Sequence, residues 1–326
     1  MRFLSLLLFL CACSLSEEEE DQLAAHLQRA QIYFDNLDYP RAQQQANLGL
    51  IIEPENPTLN HIMGRALLGM HDIQSVRNSG AFLKVAHEDM DSARTAYSLG
   101  EYHLRLAEFM LARAEHLKAR AAGLPEEEAQ DMEKRAARTV SNSGIELVVA
   151  RELLETAVAK FPENPHALRL LANCCAHQRD ENRAMVVLGD LVQIMGKSKA
   201  YKNEKLALQS LSVADETRLR KGVRADISME IHARGLIATI LMNGKDFASA
   251  ELELNQILNL DPGVDVEYYN RGLCRYRLGR LGEAASDMRT FLGRTSLEFK
   301  SKTVVRALDI VSEYEALQKT GAGPSP

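Results

Sequence analysis

Four segments of the chain can be laid over one another on a frame of about 34 residues, three of them closing at the same place, two on Pro and one on Gly. In residues 23–56 the frame places Ala30, Tyr33, Ala42, Ala46, Gly49 and Pro54, and in 231–264 it places Ala238, Leu241, Ala250, Leu254, Ile257 and Pro262. Residues 165–198 repeat the order with Ala172, Cys175, Ala184, Leu188 and Leu191, ending on Gly196. Residues 265–298 give Tyr268, Gly272, Tyr276, Ala284, Met288 and Phe291. Small side chains at fixed steps let two antiparallel helices approach closely, and bulky ones fill the space between successive pairs. Pro after the second helix stops it, because the ring lacks an amide proton and clashes with the preceding turn. The chain is therefore expected to be a stack of helical hairpins, each too small to bury its own apolar face.

The stretch Tyr269-Asn270-Arg271-Gly272-Leu273, continuing to Leu278-Gly279-Arg280 and Glu283-Ala284-Ala285, resembles the tetratricopeptide repeat (TPR). The phrase Glu53-Pro54-Glu55-Asn56-Pro57 is echoed by Pro162-Glu163-Asn164-Pro165. The resemblance implies an all-α, right-handed superhelical solenoid of six to eight hairpins. Pro57 and Pro165 stand 108 residues apart, three frames plus six, so some units between the clear copies are degenerate. We place an array over residues 23–298, with degenerate units at about 71–130 and 199–230. A unit at 131–164 has its turn at Ser141-Asn142-Ser143-Gly144, and another begins at Pro57 and keeps only its first helix. Residues 91–122 read as one long helix, 215–242 as an extended first helix, 199–213 as a short or irregular helix, and 299–318 as a helix capping the open end. Residues 319–326 form a loose tail.

The N-terminus carries a second signal. Met1-Arg2 precedes an apolar run from Phe3 to Leu10, far shorter than the roughly 20 residues a spanning helix needs. Residues 1–12 read as a secretory signal. Leu10-Cys11-Ala12-Cys13 resembles the lipobox of bacterial lipoproteins, which implies cleavage before Cys13 and lipidation, with palmitate among the acyl groups, at that residue. Residues 13–22 would then be the lipidated Cys and an acidic linker, Glu17-Glu18-Glu19-Glu20-Asp21, which equally suits the start of a helix. By the same resemblance, Ser14 favours the outer membrane, facing the periplasm, if the source has two membranes.

Composition narrows the function classes. Without residues 1–21 the chain has 40 acids against 38 bases, so it offers no broad basic surface for nucleic acid, and it contains no Trp for base stacking. Cys174, Cys175 and Cys274 show no paired metal-ligand spacing and read as small buried thiols. His87, Glu88, Asp89 and Asp91 are the densest titratable group, yet His87 and Asp91 on one helix face do not make a zinc site. No metalloprotease, nucleophile-elbow, phosphate-loop or dinucleotide motif is present. No catalytic residue, metal or cofactor is expected.

The resemblance instead implies a ligand face on the first helix of each hairpin. Carried over residue by residue, the family positions are His61 and Arg65, then Arg135 and Thr139, then His166, Arg169 and Asn173. The later copies give His232, Tyr269, Asn270 and Arg277. This lining is rich in His and Arg and poor in carboxylates, which suits an acidic or C-terminal peptide. The family's carboxylate clamp is not matched, because Arg135, Thr139 and Leu170 stand at its first three positions. The expected function is a lipid-anchored scaffold or adaptor for a protein segment in the cell envelope. The alternative is a pilotin or assembly factor for a secretin or pilus system, and a metal-dependent enzyme is a distant third.

Overall fold

The computed structural model describes residues 15–207 and 211–319, and within them the secondary structure is entirely helical. The helices divide into two compact units, residues 1–162 and 163–326.

The first unit holds α1 (Glu17–Asp35), α2 (Tyr39–Ile52), α3 (Pro57–Gly69), α4 (Ile73–Met90), α5 (Ala93–Ala121) and α6 (Glu126–Lys160). The second holds α7 (Pro165–His177), α8 (Glu181–Leu206), α9 (Val213–Asn243), α10 (Phe247–Leu260), α11 (Asp265–Arg277), α12 (Leu281–Leu292) and α13 (Lys302–Lys319). Each unit is thus a stack of three hairpins, the arrangement of a helical-repeat solenoid, and α13 packs on α12 at the end of the second.

Local chemistry fixes the helix ends. The acidic run is the first turn of α1, where Ser16 and Glu19 form a reciprocal capping box. Asn56 and Asn164 cap α3 and α7, each followed by Pro at the first helical position, where a missing amide proton costs nothing. The turn inside five of the six hairpins repeats one backbone device, a single left-handed residue directly before the next cap: Leu37, His71, Arg179, Lys245 and Gly279. Only Gly279 is free of a Cβ penalty there.

Ala30, Ala172, Ala238 and Gly272 are all buried, as the frame requires. At Gly272 a Cβ would meet the Met288 methyl at 2.9 Å and the Ala284 carbonyl at 3.3 Å, so α11 and α12 touch through that position. The long helix at 91–122, the extended first helix at 215–242 and the final helix at 299–318 appear as α5, α9 and α13.

Three boundaries differ from the sequence reading. Ser141 to Gly144 is not a turn: α6 runs unbroken for 35 residues. Its buried stripe of Ala136, Ser143, Leu147, Ala150, Leu154 and Ala157 lies along α5, with Leu117 near Ala136 at one end and Leu99 near Leu153 at the other. Gly196 does not end α8, which continues to Leu206 because Lys199 and Lys202 pair with Glu230 and Asp226 of α9 at 2.8 and 2.6 Å. The unit beginning at Pro57 is complete, since α4 is its second helix and packs with Val76, Leu83 and Ala86 buried.

Candidate protein-binding face

The first-helix face differs between the two units. In the first, α3 contributes His61 and Arg65, and both are engaged by α5. His61 is 5% exposed, and its Nε2 lies 2.9 Å from the Ser98 hydroxyl. That hydroxyl donates its one proton to the Arg94 carbonyl at 2.9 Å, so it accepts from His61 and the imidazole is the neutral Nε2–H tautomer. Burial, then the charges of Arg94 and Arg65, push the His61 pKa down to about 3. Arg65 pairs with Glu101 and lies 5.2 Å from the centre of the Tyr97 ring. Burial alone would raise the Glu101 pKa, but Arg65 and Arg105 outweigh it and hold the carboxyl below its ordinary range. His61 and Arg65 are therefore packing and ion-pair residues, contrary to their expected place in an open groove.

Arg135 and Thr139 also move. They sit on the N-terminal half of α6, a second helix, and not on a first helix as expected. Arg135 is exposed beside Asp131, 3.9 Å away, and the Thr139 hydroxyl donates to the Arg135 carbonyl at 2.8 Å.

In the second unit α7 and α9 contribute partly exposed polar residues to the first-helix face. Helix α7 contains no acidic residue, while Arg169 and Asn173, four apart, share a face of it. Arg169 lies close enough to His232 of α9 that its charge, after partial burial of the ring, lowers the His232 pKa. The acids of α9 nearest this point in sequence are already paired: Glu230 binds Lys199 and Arg234, and Asp226 binds Lys202. His166 is exposed at the start of α7. Of the expected residues, Arg169 thus supplies a positive charge, with Asn173 on the same face of α7 and the His232 ring near the guanidinium.

The last copy is more self-contained. Asn270 donates to Glu267 at 2.8 Å, and the Tyr269 ring packs 5.3 Å from Phe291. Arg277 is exposed at the end of α11. Between these helices lies a buried ionic network invisible in the repeat frame. Asp287 takes both Arg271, at 2.7 and 3.0 Å, and Arg275, at 2.9 Å, while Glu251 takes Arg275 and Arg280.

The His87 group is dispersed: His87 bonds the Thr95 hydroxyl at 3.1 Å, Glu88 faces Lys84, and Asp91 pairs with Lys160 at 2.8 Å. Among the described residues no cluster of three or more His, Cys, Asp or Glu could hold a metal ion. Cys174, Cys175 and Cys274 are buried thiols in no disulfide, and burial pushes the Cys274 pKa up to about 11. Cys13 lies outside the described residues. No described helix is long and apolar enough to cross a membrane.

The fold and this face define an all-α helical-repeat protein. Residues 147–207, covering the end of α6 with α7 and α8, match the tetratricopeptide repeat family model, so the chain carries a TPR segment. No curated protein matches the chain. Solved structures similar to it include a TPR protein from Parabacteroides merdae, at 10% identity over 90% of this chain and 99% of that one, with a TM-score of 0.41. Pseudomonas aeruginosa PilF is similar at 12% identity over 94% and 96%, with a TM-score of 0.39. The MamA protein is similar at 12% identity over 84% and 92%, with a TM-score of 0.36. Likenesses this distant bear on no question of function.

Proposed function

We propose that the protein is a non-catalytic TPR scaffold that holds a segment of a partner protein against the first-helix face of its second unit. The observation that supports this most directly is the approach of His232 to Arg169, which shares a face of the acid-free helix α7 with Asn173. Arginine and asparagine there suit the carboxylates and backbone carbonyls of an acidic or C-terminal peptide. The lipobox-like Leu10-Cys11-Ala12-Cys13 supports a lipid anchor at Cys13, and with it a place at the cell envelope, on the outer membrane of a two-membrane cell. Two or more acyl chains give stable anchoring where one is marginal, because each buried CH₂ contributes about 0.8 kcal/mol.

Photocrosslinking from position 173 in the native cell tests both parts. Arg169→Glu is expected to abolish capture while leaving the helical fold intact, and Cys13→Ser to move the protein from the membrane to the soluble fraction. Capture of a secretin subunit would specify the scaffold as an assembly factor. Capture unchanged by Arg169→Glu would sink the face assignment, and an intact mass showing an unmodified chain would sink the anchor.

A further inference from the structure

Three cavities of the first unit lie beside its second helices. One, of 730 Å³, lies between the second helices α2 and α4, over α3. Two more, of 630 and 420 Å³, lie between α4 and α6 along α5. Each volume falls in the range of ligand-sized cavities, roughly 300–1,000 Å³.

The two along α5 form successive parts of one groove. Helix α5 passes from Leu99 to Arg113 along its floor while α4 and α6 run the other way on either side. At 1.5 Å per residue that floor is about 20 Å long. Between the two cavities the groove is crossed by Tyr102 and by the His103–Glu146 pair, 2.6 Å apart. Tyr102 lies against the α4 backbone because position 80 is glycine, whose Cβ would fall 2.5 Å from the ring.

The smaller cavity has a distinct chemistry. Its floor is Leu106, Phe109 and Met110, with Phe109 36% exposed, and its rim holds Arg77 and Arg113. Thr139 and Asn142 of α6 complete the wall, and no carboxylate lines it. Among the described residues neither guanidinium has an ion-pair partner, unlike Arg65, Arg105, Arg271 and Arg275, which are all paired. Two free guanidiniums beside an open apolar floor are complementary to a carboxylate attached to a bulky apolar group. Thr139 and Asn142 add a hydroxyl and an amide, which suit the peptide backbone carrying it.

We propose that the groove between α4 and α6 is a second docking surface, for a peptide segment that presents an acidic residue next to a leucine or phenylalanine. The carboxylate sits between Arg77 and Arg113, and the apolar side chain enters the cavity over Leu106 and Met110. This surface shares no residue with the Arg169 face of the second unit, so it is a separate site.

The test uses the full chain with its methionine methyls labelled with carbon-13, titrated with two eight-residue peptides. They alternate leucine or phenylalanine with serine and differ only in one aspartate or asparagine. The aspartate peptide is expected to move the Met110 methyl signal and to bind at least about tenfold more tightly than its amide twin. Arg77→Glu with Arg113→Glu, both at exposed positions, should remove that advantage. Arg169→Glu should leave the titration unchanged. Equal affinity for the two peptides, a Met110 signal that stays still, or binding lost in Arg169→Glu would each overturn the proposal. So would a Met110 shift produced by dodecanoate and by neither peptide, which would make the groove a fatty-acid site.

Discussion

Gly144 offers a direct test of the longest element, because its replacement by alanine changes sign with the local backbone. In α6 the residue stands mid-helix and exposed, and a Cβ built on it meets nothing within 4 Å. No packing term enters, so the change reduces to helix propensity, in which glycine is about 0.8–1.0 kcal/mol worse than alanine. Gly144→Ala is therefore expected to stabilise the first unit by about 1 kcal/mol, which for a unit of this size raises the melting temperature by roughly 2–4 °C. Were Gly144 a turn residue, as Ser141-Asn142-Ser143-Gly144 suggests by itself, alanine would have to adopt a left-handed backbone and would destabilise instead. Thermal denaturation followed by circular dichroism separates the two outcomes. Gly64→Ala is the control of opposite sign, since its Cβ would fall 2.5 Å from the Leu83 side chain and 3.3 Å from the Leu83 amide. That overpacking should cost roughly 1–3 kcal/mol. A melting temperature lowered in Gly144→Ala would refute the continuous helix.

Two further outcomes follow from burial. Ala238 is 2% exposed among Ala250, Leu254, Ile257 and Cys274, and Ala238→Leu should destabilise the second unit by roughly 1–3 kcal/mol; an unchanged urea midpoint would contradict that packing. His61, with a folded pKa of about 3 against 6.5 in the unfolded chain, stays neutral while the unfolded state takes up a proton, so its contribution is complete above pH 6.5 and falls away as pH drops towards 3. Between pH 8 and pH 5 the wild type should lose about 2 kcal/mol more stability than His61→Gln, whose amide can still bond Ser98; equal losses would show that His61 titrates normally.

The repeat was legible wherever small residues recur at helix crossings, because close approach leaves few choices at Ala30, Ala172, Ala238 and Gly272. Length was less legible. Three weak helix formers and a glycine at 141–144 cost together on the order of 2–3 kcal/mol in propensity. The stripe from Ala136 to Ala157 buried along α5 outweighs that, and its partner side chains lie on another helix. Helix α4 was missed for a related reason: its buried positions include Ser79 and Gly80, which carry little apolar signal. At the site the family positions fell on first helices for His61, Arg65, Arg169 and Asn173 but not for Arg135 and Thr139, and they carried no sign that Ser98 and Glu101, more than thirty positions away, engage His61 and Arg65. The groove along α5 left no repeat signature, because Arg113 and Thr139 meet only when both helices run well past the length of α3.

The two Asn-Pro starts show how one local sequence yields two faces. Helices α3 and α7 share an Asn cap, a Pro at the first position, thirteen residues and no acid. Four and eight residues beyond the Pro stand His61 and Arg65 in one, Arg169 and Asn173 in the other. What differs is the next first helix. Helix α5 brings Ser98 to His61 and Glu101 to Arg65, so both polar groups are consumed within the stack and the face is sealed. Helix α9 brings His232 towards Arg169, and a second basic group cannot neutralise the first. A guanidinium without a carboxylate partner among the described residues is available to an external one. The next helix in the stack, more than the repeat motif itself, therefore decides which hairpin presents a charged face to a partner.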